Sequence, residues 1–219
     1  LLKINIMKIR TLEIEVLGEK LLLCNQKVMF WEAQSMLILS DMHIGKSAHF
    51  RKNGIAIPNS VLKNDLNKLD QMISYFGAEQ LLINGDILHA GDNIDVDFFC
   101  EWKKGIPTDF HLIKGNHDRI SKELEAKLCL TSIQEELKAG PFCFVHEFDS
   151  QYTDFQITGH IHPGIEIRNK IKNLRLPCFA VTEKQILLPA FSEFTGLDTR
   201  NLPSRATFFP LTPNEIFEM

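Results

Sequence analysis

Met36-Leu37-Ile38-Leu39-Ser40-Asp41-Met42-His43 begins with four apolar residues and passes directly into a carboxylate and an imidazole two positions apart. An apolar run this short reads as a strand buried on both faces. The pattern then repeats. Residues 81–83 lead into Asn84-Gly85-Asp86, residues 111–113 into Gly115-Asn116-His117-Asp118, residues 142–145 into His146, and residues 155–157 into Gly159-His160-Ile161-His162. Residues 179–181 form a further run of the same kind. In layered α/β proteins the carboxyl ends of neighbouring strands line one edge, which is where ligand sites form. Five segments remote in sequence are therefore expected to meet at one place.

Outward from this series the chain reads as alternating elements. Residues 12–16, 21–24 and Val28–Trp31 have strand character, with Gly18 and Asn25-Gln26-Lys27 as turns, and suggest an N-terminal meander. Over Ser60–Phe76 the apolar positions Leu62, Leu66, Leu69, Ile73 and Phe76 recur in steps of four and three, with Asn59 or Ser60 to cap and Gly77 to terminate. This spacing predicts an amphipathic helix. A second helix is expected over Ile94–Lys103, burying Phe98, Phe99 and Trp102, and a third from about Ser121. Strands alternating with helices, then strands in series, predict an α/β fold in which a layered β-sandwich of two mixed sheets is flanked by helices. No repeat, low-complexity tract or Gly/Ser-rich linker interrupts the chain, so residues 1–219 are read as a single domain. The first Met is Met7, which suggests that residues 1–6 precede the natural start.

Composition narrows the class. With 44% hydrophobic and 24% charged residues, the 219-residue chain is ordinary for a globular protein, which disfavours disordered, collagen-like and disulfide-scaffold classes. The formal charge is −4, so any attraction to phosphate must be local. No apolar run approaches the roughly 20 residues of a membrane helix. The first ten residues, interrupted by Lys3, Lys8 and Arg10, lack the apolar centre of an export signal. Five cysteines, an odd number without a CxxC pair, read as reduced core residues and point to a cytoplasmic setting.

The clustered residue types specify a chemistry. Imidazole, carboxylate and amide donors without thiolate suit borderline divalent ions such as Mn, Fe or Zn, and their number suggests two ions. In D-x-H and H-x-H the donors are two positions apart, so on an extended segment each pair would face one side and chelate. Glycine before Asp86, Asn116 and His160 permits tight turns or close backbone approach.

The ordered series D-x-H, G-D, G-N-H-D, H and G-H-x-H resembles that of the calcineurin-like metallophosphoesterases. Here it comprises Asp41/His43, Asp86, Asn116/His117/Asp118, His146 and His160/His162. The resemblance implies that Asp41, His43 and His162 hold one metal, that Asn116, His146 and His160 hold the other, and that Asp86 bridges them. The fourth motif departs slightly, with Val145 where glycine often precedes the histidine. More narrowly, residues 40–58 and 188–196 resemble the bacterial ligase-associated DNA damage response endonucleases, a likeness running from about Met7 nearly to the C terminus. That subgroup implies Mn²⁺ as the working ion and DNA as substrate. It also implies a repair role beside an ATP-dependent DNA ligase and a helicase.

Two divalent cations against Asp41 and Asp86 would leave the centre net positive and attractive to a phosphate oxygen. A neutral Asn116 would ligate without cancelling that charge. His117, beside a ligand but not assigned as one, is placed to protonate a leaving alkoxide, with Asp118 expected to fix its tautomer. Lys46, His49, Arg51 and Lys52 are candidate contacts to a nucleic-acid backbone, and Arg119 a candidate phosphate clamp. A solvated loop is an equal reading of that basic cluster. His89 divides evenly between supporting a ligand and an ordinary turn, and His111 reads as a sheet histidine. Phe191 and Phe194 could line a groove, but burial is the simpler reading. The predicted function is a metal-dependent phosphodiesterase acting on nucleic acid. The alternatives are a small-molecule phosphodiesterase or nucleotide pyrophosphatase with the same centre, and a non-catalytic scaffold. A homo-oligomer is compatible with all three.

Overall fold

The structure is a computed structural model that describes residues 7–52, 54, 60–89, 91–168 and 173–219, apart from the side chains of His49 and Lys52. The start-site reading of residues 1–6, a cap from Asn59, and the DNA contacts expected of His49 and Lys52 fall outside the described atoms. The first sheet opens with an antiparallel meander of β1 (Thr11–Val16), β2 (Glu19–Cys24), β3 (Val28–Trp31) and β4 (Met36–Leu39). It continues in parallel through β5 (Gln80–Asn84), β6 (Asp109–Ile113) and β7 (Ser132–Gln134). Parallel neighbours require crossovers, and α2 (Ser60–Phe76), α3 (Ile94–Lys103) and α4 (Lys122–Leu128) lie in them.

The second sheet has the order β11 (Gly164–Arg168), β12 (Asn173–Val181), β13 (Gln185–Leu187), β10 (Phe155–Thr158), β9 (Phe142–Phe144) and β8 (Leu137–Ala139), with β14 (Thr207–Pro210) also on β12. It mixes parallel β9–β10–β13 with antiparallel neighbours. The expected two-sheet α/β sandwich is therefore present.

Period-two alternation divides each apolar run between two cores. On one side of the first sheet Leu37, Leu39, Leu81 and Ile83 pack against Leu66, Leu69 and Met72 of α2 and Val96 and Phe99 of α3. On the other, Met36, Ile38 and Leu82 meet Phe142, Phe144, Ile157 and Phe179 of the second sheet. The layers thus run helices, first sheet, second sheet. Each fully buried Phe or Leu contributes about 1.5–3 kcal/mol. Trp31, at the sheet-to-sheet seam, stays satisfied because its Nε1 donates to Glu19 Oε2 at 2.8 Å.

Three expectations need correction. Phe98 is 47% exposed while Phe99 is fully buried, because adjacent helical positions differ by about 100° and cannot share one face. Cys129 is exposed in a left-handed cap at the end of α4 rather than in the core. The segment considered as a solvated loop is α1 (Lys46–Lys52). It is fastened to α3 by Asp95, which accepts from the Ala48 amide at 3.2 Å and pairs with Arg51 at 3.3 Å.

Candidate metal centre

The parallel strands β4, β5 and β6 of the first sheet and the parallel pair β9 and β10 of the second deliver their carboxyl ends to one edge of the sandwich. Asp41 and His43 follow β4, Asp86 follows β5, and Asn116 and His117 follow β6. His146 follows β9, and His160 and His162 follow β10. The two sheets are tied together there by an isolated bridge between Ser40 and Ala190 and by the Asn84 side chain. Asn84 Nδ2 donates to the Val145 carbonyl at 3.0 Å and the Ile157 carbonyl at 2.9 Å.

Two donor groups result. Asp41, His43 and His162 form one, and Asp86, His146 and His160 the other, with the ligand atoms of each group all within 4.8 Å of one another. In the first, His43 Nε2 lies 3.1 Å from His162 Nε2, which is 3.1 Å from Asp41 Oδ1. The other oxygen of Asp41 is occupied by the Ser40 hydroxyl and the His160 amide, so only Oδ1 faces the imidazoles. In the second, His146 Nε2 lies 3.4 Å from Asp86 Oδ2. Asp86 also links the two groups through the backbone, because its carbonyl accepts from the His43 amide at 2.9 Å.

The geometric reason given for chelation fails, although the residues meet. Asp41, His43, Asp86, His160 and His162 all have positive φ, between 48° and 71°, so neither pair lies on an extended segment. His160 and His162 consequently turn to different groups. Left-handed backbone at non-glycine residues is costly and collects at functional sites.

The glycines serve close approach. A Cβ on Gly85 would stand 1.9 Å from His146 Nδ1, one on Gly115 would stand 2.1 Å from Asp86 Oδ1, and one on Gly159 would stand 1.8 Å from Ser40 Oγ.

The donor set fits divalent cations on a further count. His146 Nδ1 is 3.0 Å from the Asn84 carbonyl, which only its N–H can satisfy. Nε2 is then the ring nitrogen left to face a cation, and it is buried without a hydrogen-bond partner. The charges are coupled. Burial pushes the His146 imidazole down, but the Asp86 and Asp41 carboxylates more than offset this and raise its pKa to about 9. Burial pushes the Asp86 carboxyl up, yet His146 holds it down at about 2. Burial lowers His43 to about 4, which keeps it neutral and able to ligate at neutral pH.

The remaining expectations divide. Asn116 is exposed, and its amide donates to Glu147 at 3.5 Å, beside His146. His117 is exposed at the mouth, with ring centroids 5.9 Å from His43 and 5.8 Å from His89, and its amide donates to Asp86 Oδ1 at 2.9 Å. Asp118 does not orient His117. Its buried carboxylate accepts the backbone amides of Gly115 and Leu88 at 2.9 Å and of Ile87 at 3.3 Å, fixing the loop after β6 to the loop after β5. Arg119 is exposed beside His117. Lys46 is half-buried, with Nζ 6.0 Å from the Phe194 ring. Arg51 is engaged with Asp95. Phe191 is buried and Phe194 half-buried. His111 bonds Ser132 at 2.8 Å, as a sheet histidine would.

Sequence reasoning missed Ser40 and Asn84, although both stand where an apolar strand ends in a buried polar residue. It also missed Lys68, a 6%-exposed lysine on α2. Its Nζ donates to the Phe191 carbonyl at 2.9 Å and to Glu193 at 3.0 Å. These bonds hold the loop whose Phe191 amide donates to the Ser40 carbonyl.

Comparison with known proteins places these features in a wider set. The calcineurin-like phosphoesterase profile matches residues 35–188. The structure is similar to that of Pseudomonas putida nuclease MPE, at 31% identity and a TM-score of 0.81, covering 96% of this chain and all of that one. A phosphoesterase from E. coli, Yfce, aligns over 81% of this chain and 87% of its own, at 16% identity and a TM-score of 0.40. No curated protein matches the sequence.

Proposed function

We propose, from the premise that this chain belongs to the calcineurin-like phosphoesterase family and is a metal-dependent phosphoesterase, that it is a nuclease with a dinuclear centre cleaving DNA phosphodiester bonds. The observation that carries the reading is the pair of donor groups built from four strand ends, set at one edge beside an exposed histidine. The nuclease similarity over nearly the whole chain supports nucleic acid as the substrate. The reading extends to Mn²⁺ as the working ion, with Fe or Zn as competitors. It also extends to a cytoplasmic role in DNA repair, in functional association with an ATP-dependent ligase and a helicase.

Asp41, His43 and His162 would hold one cation and Asn116, His146 and His160 the other, with Asp86 between them. Such a pair of ions clamps an in-line displacement at phosphorus and lowers the pKa of water. The chain's own residues do the rest. The Asn84 carbonyl sets the His146 tautomer, and the Ser40 hydroxyl and His160 amide leave a single Asp41 oxygen facing the imidazoles. His117 protonates the departing alkoxide, and Asp118 acts on it only by holding its loop. Lys46 and Arg119 are the described cations placed to meet phosphate oxygens near the mouth.

The test is a substrate panel with Mn²⁺-loaded protein, using supercoiled plasmid, single-stranded oligonucleotide, cyclic nucleotide and dinucleotide, with Asp86→Ala and His117→Ala controls. Plasmid or oligonucleotide cleavage lost in both variants supports the nuclease reading. Turnover confined to the small substrates replaces it with a small-molecule phosphodiesterase, and no turnover on any substrate favours a scaffold.

A further inference from the structure

The segments that carry His146 and His160 also border a cleft that the chemistry above does not use. Its inner part, about 250 Å³, is lined by His160, Glu147, Phe148, Gln185 and Pro203 among others. Its outer part, about 390 Å³, shares Phe148, Gln185 and Pro203 and continues past Lys184 to Arg205. The shared residues join the two into one groove that begins at a candidate metal ligand and ends between two exposed cations.

Both rims and the floor are fixed by hydrogen bonds. The loop bearing Phe148 is clamped onto β10, because the Asp149 amide donates to Gln156 Oε1 at 3.0 Å and Gln156 Nε2 donates to the Asp149 carbonyl at 2.7 Å. In the floor, the Thr158 hydroxyl donates to Gln185 Oε1 at 2.9 Å. The opposite rim starts at Asp198, whose amide donates to the His162 carbonyl at 3.0 Å and whose carbonyl accepts from Gly164 at 2.9 Å. The Asp198 carboxylate then accepts the amides of Arg200 at 2.7 Å and Asn201 at 3.0 Å, which turns the chain toward Pro203 and Arg205. One wall thus hangs from the backbone of a candidate ligand.

The lining is ordered by chemistry. Glu147 and Glu183 also border the groove, so it is no general anion trap. Phe148, half-buried, lines both the inner part that holds His160 and the outer part that holds the cations. A polymer that alternates phosphate with flat rings matches this order, and a ring free to lie on Phe148 must belong to an unpaired base.

Resting on the nuclease reading, we infer that this groove holds the unpaired nucleic-acid strand on the His160 side of the scissile phosphate. Phe148 is the stacking face for the adjacent base, and Lys184 and Arg205 contact the next stretch of backbone.

The experiment compares wild type, Phe148→Ala, Phe148→Leu and the double variant Lys184→Glu/Arg205→Glu on a single-stranded oligonucleotide and on methyl p-nitrophenyl phosphate, a diester too small to reach Phe148. The ratio of kcat/KM on the oligonucleotide to kcat/KM on the small diester should fall about tenfold or more in both Phe148 variants, chiefly through KM. In the double variant the salt slope of oligonucleotide binding should drop by about 2. An unchanged ratio and slope, or equal losses on both substrates, overturns the assignment. Oligonucleotide cleavage by wild type with unaltered variants would sink the groove alone, whereas no cleavage of any nucleic acid by wild type would sink the nuclease reading beneath it.

Discussion

The backbone carbonyl of Asn84, in the first sheet, lies 3.0 Å from His146 Nδ1, in the second, so one sheet orients a candidate ligand of the other. The same residue's side chain ties down the carbonyls of Val145 and Ile157, and its carbonyl also accepts from Ser40. Sheet packing and site geometry are therefore coupled through one buried amide.

Asn84→Leu should strand the Val145 carbonyl, while the Ile157 carbonyl keeps the Val145 amide at 3.2 Å. A buried unsatisfied carbonyl costs about 1–3 kcal/mol, and urea unfolding of the metal-free protein should show a loss of that size. The substitution keeps the backbone carbonyl on His146 but releases the Val145 carbonyl next to it. Loosening a ligand's support typically weakens metal binding by about 10–100-fold, which a competitive chelator titration would read. A variant with unchanged stability and affinity would contradict the coupling.

Gly85→Ala should act on one donor group before the other. Its Cβ would meet His146 Nδ1 at 1.9 Å, while no atom of Asp41, His43 or His162 is among its three nearest contacts. Elemental analysis after Mn²⁺ loading and desalting should fall from about two ions per chain toward one. Full occupancy would show that the loop yields without disturbing His146.

His117→Ala should keep both metals and lose turnover by about 10²–10⁴, most severely on alkoxide leaving groups and least on p-nitrophenolate. The imidazole joins neither donor group and stands exposed at the mouth. Loss of metal, or an equal loss with every leaving group, would reassign it.

Asn116→Asp should lower kcat/KM on any anionic diester even where metal content is preserved, because it adds a negative charge to a site that attracts phosphate. Unchanged turnover in the metal-loaded variant would reject the argument.

The cluster under residues 191–193 gives a pH test with two signs. Burial raises the Glu193 carboxyl, but Lys68 and Lys27 outweigh it and the pKa is lowered. Its contribution is complete above about pH 4.5, the ordinary glutamate value, and is lost as pH falls through the lower folded-state value. Asp65 is the reverse. Burial raises it beyond what Lys68 restores, so it weakens the fold as pH climbs from 3.8 through its folded-state value. In metal-free protein, Glu193→Gln should flatten the rise of stability with pH between about 3 and 5, and Asp65→Asn should steepen it. Urea melts across that range check both, and slopes moving in the same direction would refute the signs.

Much of this was legible from residue order. Helices α2 and α3 have the bounds their apolar spacing predicts, because each buries one stripe against a sheet. Strands β3 and β4 likewise match their apolar runs. The helix α1 was not legible, because Lys46-Ser47-Ala48-His49-Phe50-Arg51-Lys52 has no apolar periodicity and its anchor, Asp95, is remote. Strands β7, β8, β11 and β14 escaped for a related reason. They are three to five residues long and mostly half-exposed, and pairing partners rather than their own composition hold them. At the site, residue types revealed which side chains meet but not how. The left-handed turns that separate His160 from His162 have no signature in histidine itself.

Those turns imply something about inheritance. Asp41, His43, Asp86, His160 and His162 each occupy a conformation that glycine or asparagine would adopt more comfortably, at a saving of about 1–2 kcal/mol per position for glycine. A descendant released from catalysis would thus gain thermal resilience by eroding these five residues first, and its silence could be recognised by where its new glycines fall.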